Sequence, residues 1–155
     1  MLKLMLCGCQ GKMGHVIEEC VNARKDCQIV AGIDLNTEEK RNFPVYKTPA
    51  DSLETVDVIL DYSHPNSLDG LLEYALSHRT PLVIATTGYS DAQIGRIHEA
   101  AKQIPIFFTF NMSLGINLLA ELAKKATAVL GGQFDIEIVE KHHNRKVFLG
   151  NRENP

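Results

Sequence analysis

A chain of 155 residues, 45% hydrophobic and 23% charged, is long enough for one domain with a true core and short of two full-sized ones. Its net charge of −3 comes from 16 basic and 19 acidic residues scattered without a basic stripe, which speaks against nucleic acid as a partner. No apolar run reaches the length of a membrane span and no signal-peptide core opens the chain, so a cytoplasmic location is expected.

The first apolar run, Leu2 to Leu6, leads into Gly8-Cys9-Gln10-Gly11-Lys12-Met13-Gly14 and then a helix-like segment from Met13 to about Ala23. Strand, glycine turn and helix start in that order suit a pyrophosphate. Glycine permits positive φ and close backbone approach, and a helix amino end faces an anion with free N–H groups. The spacing is G-x-x-G-x-x-G, with Gln10 where the middle glycine of the usual dinucleotide fingerprint would stand. Taken alone it is also compatible with an ordinary strand-to-helix connection. Cys7, Cys9, Cys20 and Cys27 crowd this region without a C-x-x-C spacing; they read as reduced, mostly buried small hydrophobes, with no metal site expected.

Gln28 to Asp34 is a second buried strand closed by an acid, and Asp34 lies where a nucleotide-binding βαβ unit places a carboxylate on ribose hydroxyls. Leu35 follows where a basic residue would favour a 2′-phosphate, so the pair leans toward NAD over NADP, with Lys40 or Arg41 able to fold back. A polar stretch from Asn36 to Thr55 carries a short strand near Val45 and a helical turn near Asp51 to Leu53. Strands at Val56 to Asp61, Pro81 to Ala85 and Ile104 to Phe108 alternate with helices at Asn66 to His78 and Asp91 to Lys102, the latter capped by Ser90. This alternation predicts an α/β fold with a doubly wound parallel sheet. The glycine turn, Asp34, Ser63-His64, Thr86-Thr87 and Asn111 all follow strands, where such sheets bind ligands in one crevice.

A long helix from Leu114 to Leu130 comes next, then a stretch from Gln133 to His143 whose alternating Phe134, Ile136 and Ile138 predict a strand with one buried face. It ends in Glu140-Lys141-His142-His143-Asn144-Arg145-Lys146. Adjacent histidines on a strand point to opposite faces and do not share a metal. The cluster suits carboxylate binding and proton donation near neutral pH, while on local grounds alone a solvated basic turn is the more ordinary reading.

Together these segments resemble the 4-hydroxy-tetrahydrodipicolinate reductase family, the nicotinamide-dependent enzymes of lysine and diaminopimelate biosynthesis. The resemblance rests on G-x-x-G-x-M-G at Gly8 to Gly14, Asp61 to Pro65, Ala85-Thr86-Thr87-Gly88, Asn111 to Asn117, and E-x-H-H-x-x-K from Glu140 to Lys146. It implies a Rossmann-like cofactor domain over residues 1–130 and the first strand of a mixed α/β substrate domain over residues 131–147. It further implies that Gly8, Cys9, Gln10, Gly11, Lys12 and Met13 form the pyrophosphate turn, with Asp34 on the adenosine ribose. Ala85, Thr86 and Thr87 would meet the nicotinamide side, and Thr109, Phe110, Asn111 and Met112 would pass the ring. His142 matches the proton donor, Lys146 a second catalytic cation and His143 a substrate contact. The cofactor implied is NAD(P)H, leaning to NADH; the partner is a small cyclic dicarboxylate, and the full-length family is homo-oligomeric.

Three positions depart from the family pattern. Ala85 stands where glycine is usual and Met112 where an aromatic is common. After Lys146 the expected D-A-P-S-G-T run gives way to an atypical tail, residues 148–155. The expectation is a truncated or frame-altered reductase chain that keeps cofactor binding and loses most turnover. A non-catalytic NAD-binding module and another Rossmann-type dehydrogenase are the alternatives.

Overall fold

The computed structural model describes residues 1–139 and divides the chain into two units, Met1–Phe110 and a second beginning at Asn111. The first unit holds six strands, β1 (Leu2–Cys7), β2 (Cys27–Ile33), β3 (Val45–Tyr46), β4 (Val58–Asp61), β5 (Leu82–Ile84) and β6 (Ile106–Phe108). Its helices are α1 (Lys12–Asn22), α2 (Leu68–His78) and α3 (Asp91–Ala100), with single 3₁₀ turns at Pro49–Asp51 and Pro65–Ser67.

The strands form one sheet in the order β3-β2-β1-β4-β5-β6, and every pairing is parallel. From β1 the chain moves outward to β2 and β3 on one side, then returns to lay β4, β5 and β6 on the other. The order therefore reverses between β1 and β4, which opens a crevice at their carboxyl ends. The doubly wound parallel sheet expected from the alternation of apolar runs is the fold observed.

Short strands suffice because their central residues are covered. Met5, Leu6, Ile59, Leu82 and Ile84 are essentially inaccessible to solvent. One core gathers Met5, Ile59 and Ile84 with Leu68, Leu71 and Ala75 of α2 and Ile97 of α3. A smaller core packs Leu6, Cys9 and Phe43. Burying each large aliphatic side chain contributes about 1.5–3 kcal/mol, so a few such contacts hold a three-residue strand in place.

The helix ends follow local chemistry. Ser90 caps α3 in a box with Gln93, each side chain bonding the other's backbone N–H. At the head of the 3₁₀ turn before α2, His64 Nδ1 accepts from the Asn66 N–H at 3.2 Å. Helix α2 ends on Arg79 in the left-handed region, φ 52°.

Most differences from the expected boundaries are small. Strand β4 starts at Val58 rather than Val56, because Asp57 turns its carboxylate onto the Lys3 N–H at 2.8 Å. Ile104 lies buried after α3, and pairing begins only at Ile106.

In the second unit α4 (Leu114–Leu130) has the predicted bounds, with Ser113 Oγ accepting from the Ile116 N–H. Over the described part, residues 133–139, the strand expected from Gln133 to His143 is not formed: Gly131–Gln133 is a 3₁₀ turn and residues 134–139 have no ladder partner among the described residues, while residues 140–143 lie outside them. Alternation supplies a face, but a strand also needs a neighbour for its N–H and C=O groups. Phe134, Ile136 and Ile138 are accordingly exposed.

The burial pattern predicts that Ile84→Ala, at a fully buried site, lowers unfolding free energy by about 2–5 kcal/mol. Leu53→Ala, at a position 91% exposed, changes it by no more than about 0.5 kcal/mol. Urea unfolding of the two variants against the parent chain measures both.

Candidate functional site

The crevice begins at the glycine turn between β1 and α1. Gly8 has φ 76° and donates its N–H to the Ile33 carbonyl at 2.8 Å. A methyl at Gly8 would strike the Tyr62 carbonyl, and one at Gly14 would strike the carbonyls of Gly8 and Cys9. The first glycine thus sets the turn and the third lets α1 close onto it. Gly11 is the N-cap of α1; no side chain caps this end and no acid lies in the first turn. The amino end of α1 is therefore open to an anion.

Gln10 performs a task that a glycine could not. Its backbone N–H donates to Asp34 Oδ2 at 3.0 Å, its Nε2 donates to the Glu39 carbonyl at 3.0 Å, and its Oε1 accepts from Arg41 Nε at 2.7 Å. Asp34 Oδ1 also accepts from the Asn36 N–H at 3.1 Å. The carboxylate at the end of β2 is thereby locked to the turn, with lone pairs remaining for further donors.

These groups edge a cleft of about 570 Å³. Gly8, Gly11 and Asp34 form one rim, Lys47 and Thr48 another, and Tyr62, Ser63 and His64 a third. Its lining is mostly apolar with a few polar groups, the general character of a small-molecule site.

Beneath the third rim lies a fully buried carboxylate, Asp61 at the end of β4. It accepts from the Tyr89 hydroxyl at 3.0 Å, the Ser63 N–H at 3.2 Å and the Ser63 hydroxyl. Burial, then the Asp61 charge, hold the Tyr89 hydroxyl well above its ordinary pKa. The Cys7 thiol is pushed up by burial and then by Asp61, and Cys9 is raised to about 11 by burial and then by Asp34. Both thiols are free, protonated packing groups. Thr86 Oγ1 is buried without a hydrogen bond of ordinary geometry among the described residues, the Tyr89 hydroxyl lying nearby.

Of the residues singled out in the sequence, Gly8, Gly11 and Asp34 meet in the cleft. Cys9 buries its side chain under the turn and leaves only backbone near the cleft, while Lys12 and Met13 open α1. Ala85, Thr86 and Thr87 follow β5, and Thr109 and Phe110 follow β6, on the same sheet edge but outside this cleft. Asn111 and Met112 belong to the second unit. His142, His143 and Lys146 lie outside the described residues. Ser63 and His64 also line the cleft, with Tyr62 of the same segment. Sequence reasoning missed Tyr89 and the acid and histidine that gather around Arg41, all joined to the site across long stretches of chain. No grouping of ligand type for a metal ion occurs among the described residues, and none of their helices is long and apolar enough to cross a membrane.

A parallel sheet with its switch point between β1 and β4, a glycine turn there and an acid after β2 define a Rossmann-type dinucleotide-binding fold. A family model described as "Dihydrodipicolinate reductase, N-terminus" matches residues 2–112, and the chain belongs to the dihydrodipicolinate reductase family. It is 49% identical over 147 residues to 4-hydroxy-tetrahydrodipicolinate reductase of Clostridium botulinum, covering 95% of this chain and 58% of that one. It is 46% identical over 146 residues to the protein of the same name in Caldanaerobacter subterraneus, covering 94% and 57%. The fold is that of a dipicolinate-bound dihydrodipicolinate reductase from Paenisporosarcina, with a TM-score of 0.70 at 24% identity over 83% of this chain and 54% of that one. The chain thus spans a little over half the length of the relatives it matches.

A raised thiol pKa stabilises the fold only while the unfolded thiol is also protonated. As pH rises from the ordinary 9.0 toward about 11, the unfolded chain releases the Cys9 proton and the folded one retains it, so stability falls through that window. Urea unfolding across it is expected to show a decline that is shallower in Cys9→Ala.

Proposed function

We propose that this chain is the NAD(P)H-binding portion of a 4-hydroxy-tetrahydrodipicolinate reductase, a step of lysine and diaminopimelate biosynthesis. The observation that carries the proposal is the locking of Asp34 to the glycine turn through the Gln10 N–H. It places an anion-receptive helix end and a hydroxyl-receptive carboxylate on the rim of one cleft.

The residues present fit a dinucleotide. A Cβ at Gly8 or Gly14 would strike the backbone carbonyls of Tyr62, Gly8 and Cys9, so these glycines let the turn fold back tightly and leave the start of α1 uncovered. The open N–H groups at the start of α1 would take the pyrophosphate, with Lys12 adding positive charge. Asp34 would accept from the adenosine ribose, and Tyr62 and His64 would border the adenine. The buried hydroxyl of Thr86 is suited to a carboxamide on the nicotinamide side. Leu35, 89% exposed, offers a 2′-phosphate no charge, which favours NADH over NADPH.

A bound reduced nicotinamide would supply the hydride. In this proposal His142 gives a proton to the substrate carbon left electron-rich by reduction, Lys146 offsets the substrate carboxylates, and His143 contacts the substrate. Residues 1–130 are read as the cofactor domain and residues 131–147 as the opening of the substrate domain. The D-A-P-S-G-T run, whose Gly-Thr pair binds a substrate carboxylate in the family pattern, does not follow Lys146. The reading is therefore of a chain that binds cofactor and turns over poorly.

NADH titrated into the 155-residue chain, followed by nicotinamide fluorescence, is expected to bind saturably. Asp34→Ala is expected to weaken it about ten- to a hundredfold, the loss of charge-assisted ribose bonds worth about 1.5–3 kcal/mol. A folded chain that leaves millimolar NADH unbound would overturn the cofactor reading. Consumption of NADH with freshly generated 4-hydroxy-tetrahydrodipicolinate is expected to be very low or absent, and brisk turnover would overturn the impairment.

A further inference from the structure

Arg41 is one of the two cations, with Lys40, that the sequence left free to fold toward the ribose, and in the structure it is fully engaged elsewhere. Its side chain is 7% exposed, and its guanidinium pairs with Glu18 of α1, whose side chain is 13% exposed, at 2.6 Å. It also donates to the Cys9 carbonyl at 3.1 Å and to Gln10 Oε1 at 2.7 Å. His15 stands against it at 2.9 Å, and the Glu39 carboxylate lies at 3.6 Å. Only Gln10 separates Arg41 from Asp34, because the Gln10 N–H bonds Asp34 while its side chain bonds the guanidinium. The arginine is therefore within one residue of the position a 2′-phosphate would occupy, yet committed to an acid on α1.

We infer that Glu18 is a specificity-determining residue: by holding Arg41 beneath the phosphate turn it withholds the cation that NADPH would need, and so sets the preference for NADH. The inference rests on the cofactor reading above. Its physical basis is that Glu18 is the nearer and more buried of the two carboxylates on Arg41; without it the buried guanidinium keeps only Glu39, at 3.6 Å and half exposed, as a counter-charge. Without Glu18, the guanidinium gains by turning outward, where a phosphate offers it a bidentate partner. Arg41 contributes nothing to 2′-phosphate binding while the pair is intact; it positions the turn for either cofactor.

The test is the ratio of NADPH to NADH dissociation constants, measured by nicotinamide fluorescence for the parent chain, Glu18→Gln, Glu18→Ala, Arg41→Met and the double variant Glu18→Ala/Arg41→Met. The ratio is insensitive to a fraction of unfolded protein, since both cofactors report on the same folded population. The parent chain is expected to prefer NADH by about tenfold or more. Glu18→Ala is expected to shift the ratio toward NADPH about tenfold, Glu18→Gln by less, and raised salt to shrink both shifts. The double variant is expected to return to the parent ratio. Arg41→Met is expected to weaken both cofactors equally, leaving the ratio unchanged.

A parent chain that binds NADPH as tightly as NADH overturns the inference, Lys47 on the cleft rim then being the available cation. So does a shift in Glu18→Ala that survives removal of Arg41, or no shift in either Glu18 variant. If Glu18→Ala fails to fold, Glu18→Gln and Arg41→Met decide, since selective loss of NADPH in Arg41→Met would mean that the arginine already reaches the phosphate. Absence of binding to both cofactors by the folded parent chain would instead refute the cofactor reading itself.

Discussion

Everything in the crevice depends on how closely the backbone after β1 approaches the backbone after β4. Gly8 sits with positive φ so near the Tyr62 carbonyl that no β-carbon fits between them. At the same point the Gly8 N–H reaches sideways to the Ile33 carbonyl of β2. One residue therefore fixes the spacing of three strand ends, and the cleft is the space that remains in front of them. The parallel register behind it, Cys7 beside both Ile33 and Asp61, aligns those ends at one level.

The fold was readable because its determinants are local. Buried strands in a parallel sheet are continuous apolar runs, and Ile29, Ile33, Ile59 and Ile84 fall in such runs between turn-forming residues. Ser90 with Gln93 and Ser113 before Leu114 mark helix starts by their own chemistry. The glycines of the turn were equally legible, since their spacing is itself the geometric requirement. Residues 134–139 misled for the complementary reason: alternation reports which side chains share a face and says nothing of whether another strand lies alongside.

The candidate site was legible only where a motif puts a residue type at a fixed distance along the chain. Asp34 is such a residue, and the structure joins it to the turn through the Gln10 N–H. Tyr89 is not: its bond to Asp61 spans 28 residues, and nothing near either residue announces it. Gln10 is the instructive case. By the usual fingerprint it stands in the place of a glycine, yet its backbone approaches Asp34 as required while its side chain clasps Glu39 and Arg41. The motif constrains the path of the backbone, and the freedom it leaves at Gln10 is used to tether the next loop.

That tether answers a structural need. Between β2 and β3 lies a polar stretch, residues 35–44, with no helix or strand of its own, so its backbone cannot be held by a ladder. It is pinned at two points close in sequence. Phe43 packs with Leu6 and Cys9 in the space left by the missing side chain of Gly32, where a β-carbon would lie 2.7 Å from the ring. Arg41 enters beside it and spends its donors on Glu18, Gln10 and the Cys9 carbonyl. A buried ion pair is a weak source of stability, because desolvation offsets most of its attraction. Its value here is directional: an apolar residue in place of Arg41 could fill the volume, but could not bond a carbonyl of the glycine turn, the Gln10 side chain and an acid of α1 at once. The pair thus makes the turn, the first helix and the loop after Asp34 one mechanical unit, which is the rigidity that the proposed phosphate-binding role of this backbone needs.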